Sequence, residues 1–77
     1  MVGLSPRQQE VYDFIEKYRN ENEISPSVID IADGLGLSSS TIFAYIGALK
    51  RKKRVTNLPG VPRSIRVIPL TVIAQMK

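Results

Sequence analysis

The side chains best placed to do chemistry in this chain are hydroxyls and cations. Ser38, Ser39, Ser40 and Thr41 form a run of four hydroxyls, and Lys50, Arg51, Lys52, Lys53 and Arg54 form a run of five cations. Arg63 and Arg66 add two more charges further on. From Gly34 to Lys77 there are eight Lys or Arg and no Asp or Glu, whereas all seven acidic residues lie in the first 33 positions. The formal balance is −4 for the first part, from three basic against seven acidic residues, and +8 for the second. Hydroxyls and free amides at a helix start bind phosphate oxygens, and uncompensated Lys and Arg neutralise phosphates. The chemistry on offer is capture of a polyanion: nucleic acid, an acidic membrane or an acidic protein.

The rest of the composition narrows these classes. Seventy-seven residues make one small domain, and 43% hydrophobic with 23% charged residues reads as globular. With no Cys and no His, disulfides, the usual zinc and haem sites and a His-based triad are excluded. The carboxylates Glu10, Asp13 and Glu16 read as solvated, and no nucleophile–base pair can be named. A binding protein is expected, not an enzyme, with no cofactor and no metal. The N-terminus lacks the apolar core of a signal peptide. The longest apolar stretch, Ile65 to Ala74, is broken by Arg66 and Pro69 and cannot span a bilayer. The basic face lacks a paired apolar stripe for lipid. The expected location is the cytoplasm, at the nucleoid, with no membrane partner.

The elements that position these residues follow from caps and periodicity. Ser5-Pro6-Arg7-Gln8 is a helix start with a capping box. Val11, Phe14, Ile15 and Tyr18 then recur at helical spacing, and the helix should fade near Asn20 to Asn22. Glu23 to Pro26 is an extended connector, because Ser25 precedes a proline. Ser27 to Asp30 repeats the capping logic and opens a short helix with Val28, Ile31, Ala32 and Leu35 inward. Gly36 can end it in the left-handed conformation, Leu37 plugs the turn, and Ser38 caps a third helix from about Ser39 to Lys52. This is a helix-turn-helix.

In that third helix, Ile42, Ile46, Leu49 and Lys53 fall within about 40° of one direction, taken as the core. Ser40, Ala44, Gly47 and Arg51 fall opposite, with Phe43, Tyr45 and Lys50 on the flanks. Arg54 to Leu58 and Arg63 to Ile68 are β-prone runs separated by Pro59-Gly60-Val61-Pro62, a hairpin pattern. The expected fold is mainly α with a small β-hairpin: a winged helix-turn-helix of three helices and a two-stranded wing. Residues 1–68 should form the domain, and 69–77 a C-terminal tail or linker remnant.

The chain now strongly resembles the N-terminal DNA-binding domain of the LexA repressor family. The matching stretches are LSPRQQEVYDFI (Leu4 to Ile15), PSVIDIADGLGLSS (Pro26 to Ser39), ALKRK (Ala48 to Lys52) and PRSIRV (Pro62 to Val67). They cover nearly all of Leu4 to Val67 in the expected order. The resemblance implies an operator-binding regulator of the bacterial or phage SOS type, with the third helix in the major groove and the wing beside the backbone. Three departures bear on the transfer. The family has a C-terminal self-cleaving domain with a Ser–Lys dyad, for which this chain has no length, so self-cleavage and the family's main dimer interface are expected to be absent from it. The family usually has Gly where Lys53 stands. Family members tend to carry polar or charged side chains where this chain has Phe43, Ala44, Tyr45 and Gly47, so the operator sequence does not transfer.

The expected DNA-binding residues are Ser38, Ser39, Ser40, Thr41, Phe43, Ala44, Gly47, Lys50, Arg51, Lys52, Lys53, Arg54 and Arg63. Ser38 alone satisfies a helix cap, and the further hydroxyls exceed that need. The five cations exceed what a helix C-terminus favours, and five neutralised phosphates give a slope of log K against log[salt] near −4 to −5. Arg63, close to the wing tip, is the better phosphate candidate, while Arg66 is as readily an ordinary surface charge. Phe43 and Ala44 can touch thymine methyl groups, and Gly47 can let the helix approach DNA closely. Equally, Tyr45 can pack at the core edge, and an outward Phe43 beside Ala and Gly can be a patch for another protein. No Arg, Asn or Gln stands between Ser40 and Lys50, so base discrimination should be modest or depend on DNA shape.

Two functions follow. The first is a sequence-specific transcriptional regulator, a repressor that occupies palindromic double-stranded operator DNA as a homodimer, with half-sites about 10 bp or a multiple apart. The second is a protein-interaction module on the same scaffold, an antirepressor or assembly factor, using the apolar middle of the third helix. The apolar tail Pro69 to Lys77 covers the hairpin, forms the subunit contact or is a truncated linker; the dimer reading uses it as the contact.

Overall fold

A computed structural model describes residues 3–68. In chain order it contains α1 (Pro6–Asn22), α2 (Val28–Leu35), α3 (Ser39–Arg51), β1 (Val55–Thr56) and β2 (Arg66–Val67). The strands pair antiparallel, with Val55 opposite Val67 and Thr56 opposite Arg66. The expected three helices and wing are all present. The suggested roles of 69–77 lie outside the described residues.

Each helix begins where its capping residues dictate. Ser5 accepts from the Gln8 amide while the Gln8 side chain accepts from the Ser5 amide. Ser27 and Asp30 close α2 in the same way. Each reciprocal pair satisfies two amides that a helix start otherwise leaves open. The three helix ends share one device, a residue at positive φ: Glu23 at 60°, Gly36 at 68° and Lys53 at 58°. Only glycine adopts this region without a Cβ penalty. After Gly36 the Leu37 amide donates to the Ala32 carbonyl at 3.0 Å, which turns the chain sharply into α3.

The core lies where the three helices and the wing meet. Val11, Ile15, Ile31, Ile42 and Leu49 are wholly buried, joined by Tyr12, Ala32, Ile46, Val55 and Ile65. Each fully buried aliphatic side chain contributes roughly 1.5–3 kcal/mol relative to exposure. α3 packs on both α1 and α2, and α1 also supports β2. Phe14, Leu35 and Leu37, expected inside, are half-buried at the margin of this cluster. Gly34 is exposed, yet a Cβ there would overlap the Phe14 ring. Its helix-propensity cost of about 1 kcal/mol therefore accompanies a close approach of α1 to α2.

Two details differ from expectation. Lys53 does not continue the core-facing row of α3. The helix ends at Arg51, Lys53 turns to φ 58° and its side chain is exposed. The strands are also shorter than the β-prone runs around them. Ser64 explains this: its Oγ accepts from the Leu58 amide at 2.9 Å and reaches the Val61 carbonyl at 2.8 Å. A side chain thus closes the wing loop where ladder bonds would otherwise run.

Candidate nucleic-acid interface

The start of α3 divides the four hydroxyls into two pairs. Ser38 Oγ accepts from the Thr41 amide at 3.2 Å and shares a 2.8 Å hydrogen bond with Thr41 Oγ1. Ser38 and Thr41 are therefore occupied in closing the cap. Ser39 and Ser40 are exposed, and their backbone amides belong to the first helical turn, which lacks intrahelical acceptors. These two residues form the part of the run open to an anion.

Along the helix, Ile42, Ile46 and Leu49 are buried and fix its orientation. The outward face carries Ser40, Phe43, Ala44, Gly47 and Arg51. Phe43 is 62% exposed, Ala44 is exposed and Gly47 is half-buried. Tyr45 packs against the core, which decides its role in favour of packing. The face therefore opens on the Ser40 hydroxyl, is apolar and low through Phe43, Ala44 and Gly47, and ends at Arg51.

The basic run does not act as one block. Lys50, Arg51 and Lys53 are exposed. Lys52 turns back to the start of α1, where its Nζ donates to Gln8 Oε1 at 2.6 Å and to the Gly3 carbonyl at 2.9 Å. Arg54 lies over the Tyr12 ring at 5.0 Å, a cation–π contact, and its Nε is buried. Its backbone carbonyl accepts from Ile68 at 2.8 Å. Lys52 and Arg54 therefore tie α3 and the wing to α1, a role that their place in a charge run concealed.

Arg63 departs furthest from expectation. It sits at φ 55°, and its guanidinium, still 44% exposed, reaches across to the start of α2 and pairs there with Asp30. One nitrogen donates to Asp30 Oδ2 at 2.8 Å, to the Ser25 carbonyl at 3.3 Å and to the Tyr18 hydroxyl at 3.4 Å. Asp30 Oδ2 also accepts from the Ser27 amide at 3.0 Å. One carboxylate thus caps α2 and latches the wing. The Ser27 amide chiefly, and Arg63 with it, hold the Asp30 carboxyl below its usual value. The Tyr18 hydroxyl and then Asp30 push the Arg63 guanidinium up. Sequence reasoning missed Asp30 and Tyr18 as wing anchors. The capping box marked Asp30, but no local signal joins residues 33 positions apart.

The structure thus brings Ser39, Ser40, Phe43, Ala44, Gly47, Lys50 and Arg51 together on α3, with Lys53 just beyond its end. It engages Lys52, Arg54 and Arg63 in contacts with other parts of the fold. Among the described residues no helix is long and apolar enough to cross a membrane.

The family model described as the LexA DNA binding domain matches residues 1–64. A LexA repressor of Koribacter versatilis is 41% identical over 69 residues, covering 88% of this chain and 33% of that protein. One from Halalkalibacterium halodurans is 37% identical over 75 residues, covering 96% and 36%. One from Listeria monocytogenes is 37% identical over 70 residues, covering 90% and 34%. The chain spans about a third of the length of these curated relatives. On the extent of the family match, the chain belongs to the LexA DNA-binding domain family.

Proposed function

We propose that this chain binds double-stranded operator DNA and represses transcription by occupying it. α3 enters the major groove, Ser39 and Ser40 approach a phosphate, and Phe43 and Ala44 meet thymine methyl groups. Lys50, Arg51 and Lys53 supply the positive charge at the end of the helix. The observation that carries this reading is the α3 surface: an exposed, low face with three uncommitted cations beside it, in a chain of a DNA-binding family. With Lys52 and Arg54 of the five-cation run engaged within the fold, two or three neutralised phosphates replace the five read from sequence. The expected slope of log K against log[salt] becomes about −2 to −3 per domain.

One domain of this size covers one half-site, so the working form is a homodimer on a palindrome, with the apolar segment 69–77 as the proposed contact. The setting is the cytoplasm, at the nucleoid. Selection of bound sequences from random duplex DNA tests the reading: a recovered palindrome supports it, and recovery of no sequence contradicts it.

The 62% exposure of Phe43 motivates the second reading, a protein-interaction surface. Phe43→Ala separates the two. Operator binding requires that the variant lose preference for thymine at one position. A protein-docking role requires that DNA affinity and preference stay intact while a partner is lost.

A further inference from the structure

Arg51 stands on the midline of the exposed α3 face. At 3.6 residues per turn, Ser40, Phe43 and Arg51 fall within about 40° of Gly47, while Lys50 lies about 60° to one side. Lys53 has already left the helix. Helical side chains lean towards the N-terminus, so the Arg51 side chain runs back over the preceding turn. There it meets the one position of the face without a side chain. A guanidinium nitrogen of Arg51 lies 3.6 Å from where a Cβ of Gly47 would stand. No carboxylate holds it: the ion pairs among the described residues are Arg7–Glu10 and Arg63–Asp30.

We infer that Arg51 is the base-reading side chain of α3 and that it reads a guanine in the major groove. This rests on the DNA-binding reading above. Phosphates line the rims of the groove, whereas the midline of a helix seated in it faces the base edges. A guanidinium on that midline meets the floor, and its planar fork matches the paired O6 and N7 acceptors of guanine. Lys50 to the side and Lys53 past the helix end are placed for the rim. Gly47 makes the arrangement possible, because a long side chain there would occupy the space over which the guanidinium lies. The sequence offered no polar reader between Ser40 and Lys50; the structure supplies one from beyond that interval, folded back by about one turn.

The test compares the wild-type domain with Arg51→Gln, by selection from random duplex DNA and then by affinities for single-base variants of the selected site, at about 0.15 M salt. The wild type should prefer one guanine per half-site by about 5- to 150-fold. In Arg51→Gln that preference should vanish or move to adenine, whose N6 and N7 suit a glutamine amide. A uniform loss of affinity with every base preference unchanged would put Arg51 on a phosphate, overturning the inference while leaving DNA binding intact. A wild-type domain that selects no sequence would overturn both.

Discussion

Replacing Lys53 by glycine should make the domain more stable and its grip on DNA weaker. The α3 terminus is a Schellman motif: the Lys53 amide donates to the Lys50 carbonyl at 3.0 Å and the Arg54 amide to the Leu49 carbonyl at 2.9 Å. In that motif the residue at positive φ is normally glycine, and here it is lysine at 58°. Holding a side-chain-bearing residue left-handed costs about 1–2 kcal/mol. Glycine removes that strain but loses about 0.5–1 kcal/mol more chain entropy on folding. The net gain is about 0.5–1 kcal/mol, or roughly 2–8 °C in Tm for a domain of this size. Because Lys53 sits among other cations, removing its charge also relieves repulsion, so Lys53→Ala is the necessary control. Alanine removes the same charge and keeps the strain. Thermal unfolding at one pH and salt should rank glycine above alanine by the strain difference. Both variants should reduce the salt slope of DNA binding by about 0.9. If glycine is no more stable than alanine, the strain argument is wrong. If neither variant alters the slope, Lys53 does not face a phosphate.

Gly34→Ala should reverse the usual helix ranking. Propensity favours alanine by about 1 kcal/mol, but overlap of its Cβ with Phe14 opposes that by about 1–3 kcal/mol. Chemical denaturation should show a net loss of up to about 2 kcal/mol, relieved by adding Phe14→Leu; a stabilised single variant would contradict the close approach. The Asp30 latch makes stability pH-dependent in a defined direction. Its carboxyl is depressed below its usual 3.8 in the fold, so its contribution is fully present above that value and is lost as pH falls through the folded pKa. Asp30→Asn should flatten the acid limb of the stability curve and hasten hydrogen exchange in the wing, and an unchanged acid limb would contradict the latch.

Local chemistry was the legible part of this fold. Ser5 with Gln8, Ser27 with Asp30, Gly36 and Ser38 each act within a few residues, and the helices begin and turn where those residues stand. The inward faces followed from periodicity because Ile42, Ile46 and Leu49 have no competing polar partner. The site was less legible because a cation looks the same in sequence whether it meets solvent or its own fold. Lys52 reaches Gln8 and Arg54 reaches Tyr12 only after α3 packs on α1. Arg63 reaches Asp30 only after the hairpin closes against the connector before α2. Extrapolating the helix past Arg51 likewise carried Lys53 to the core side, because the left-handed turn at its end is usually announced by glycine and here is made by lysine.

The division of the basic residues is most directly measured by the salt dependence of binding to a single duplex half-site. With Lys50 and Lys53 at phosphates, log K should fall against log[salt] with a slope of about −2 per domain, and about −3 where Arg51 meets a phosphate in place of a base. A slope near zero would contradict phosphate-driven binding, and one near −4.5 would require the internally held cations to reach the DNA as well.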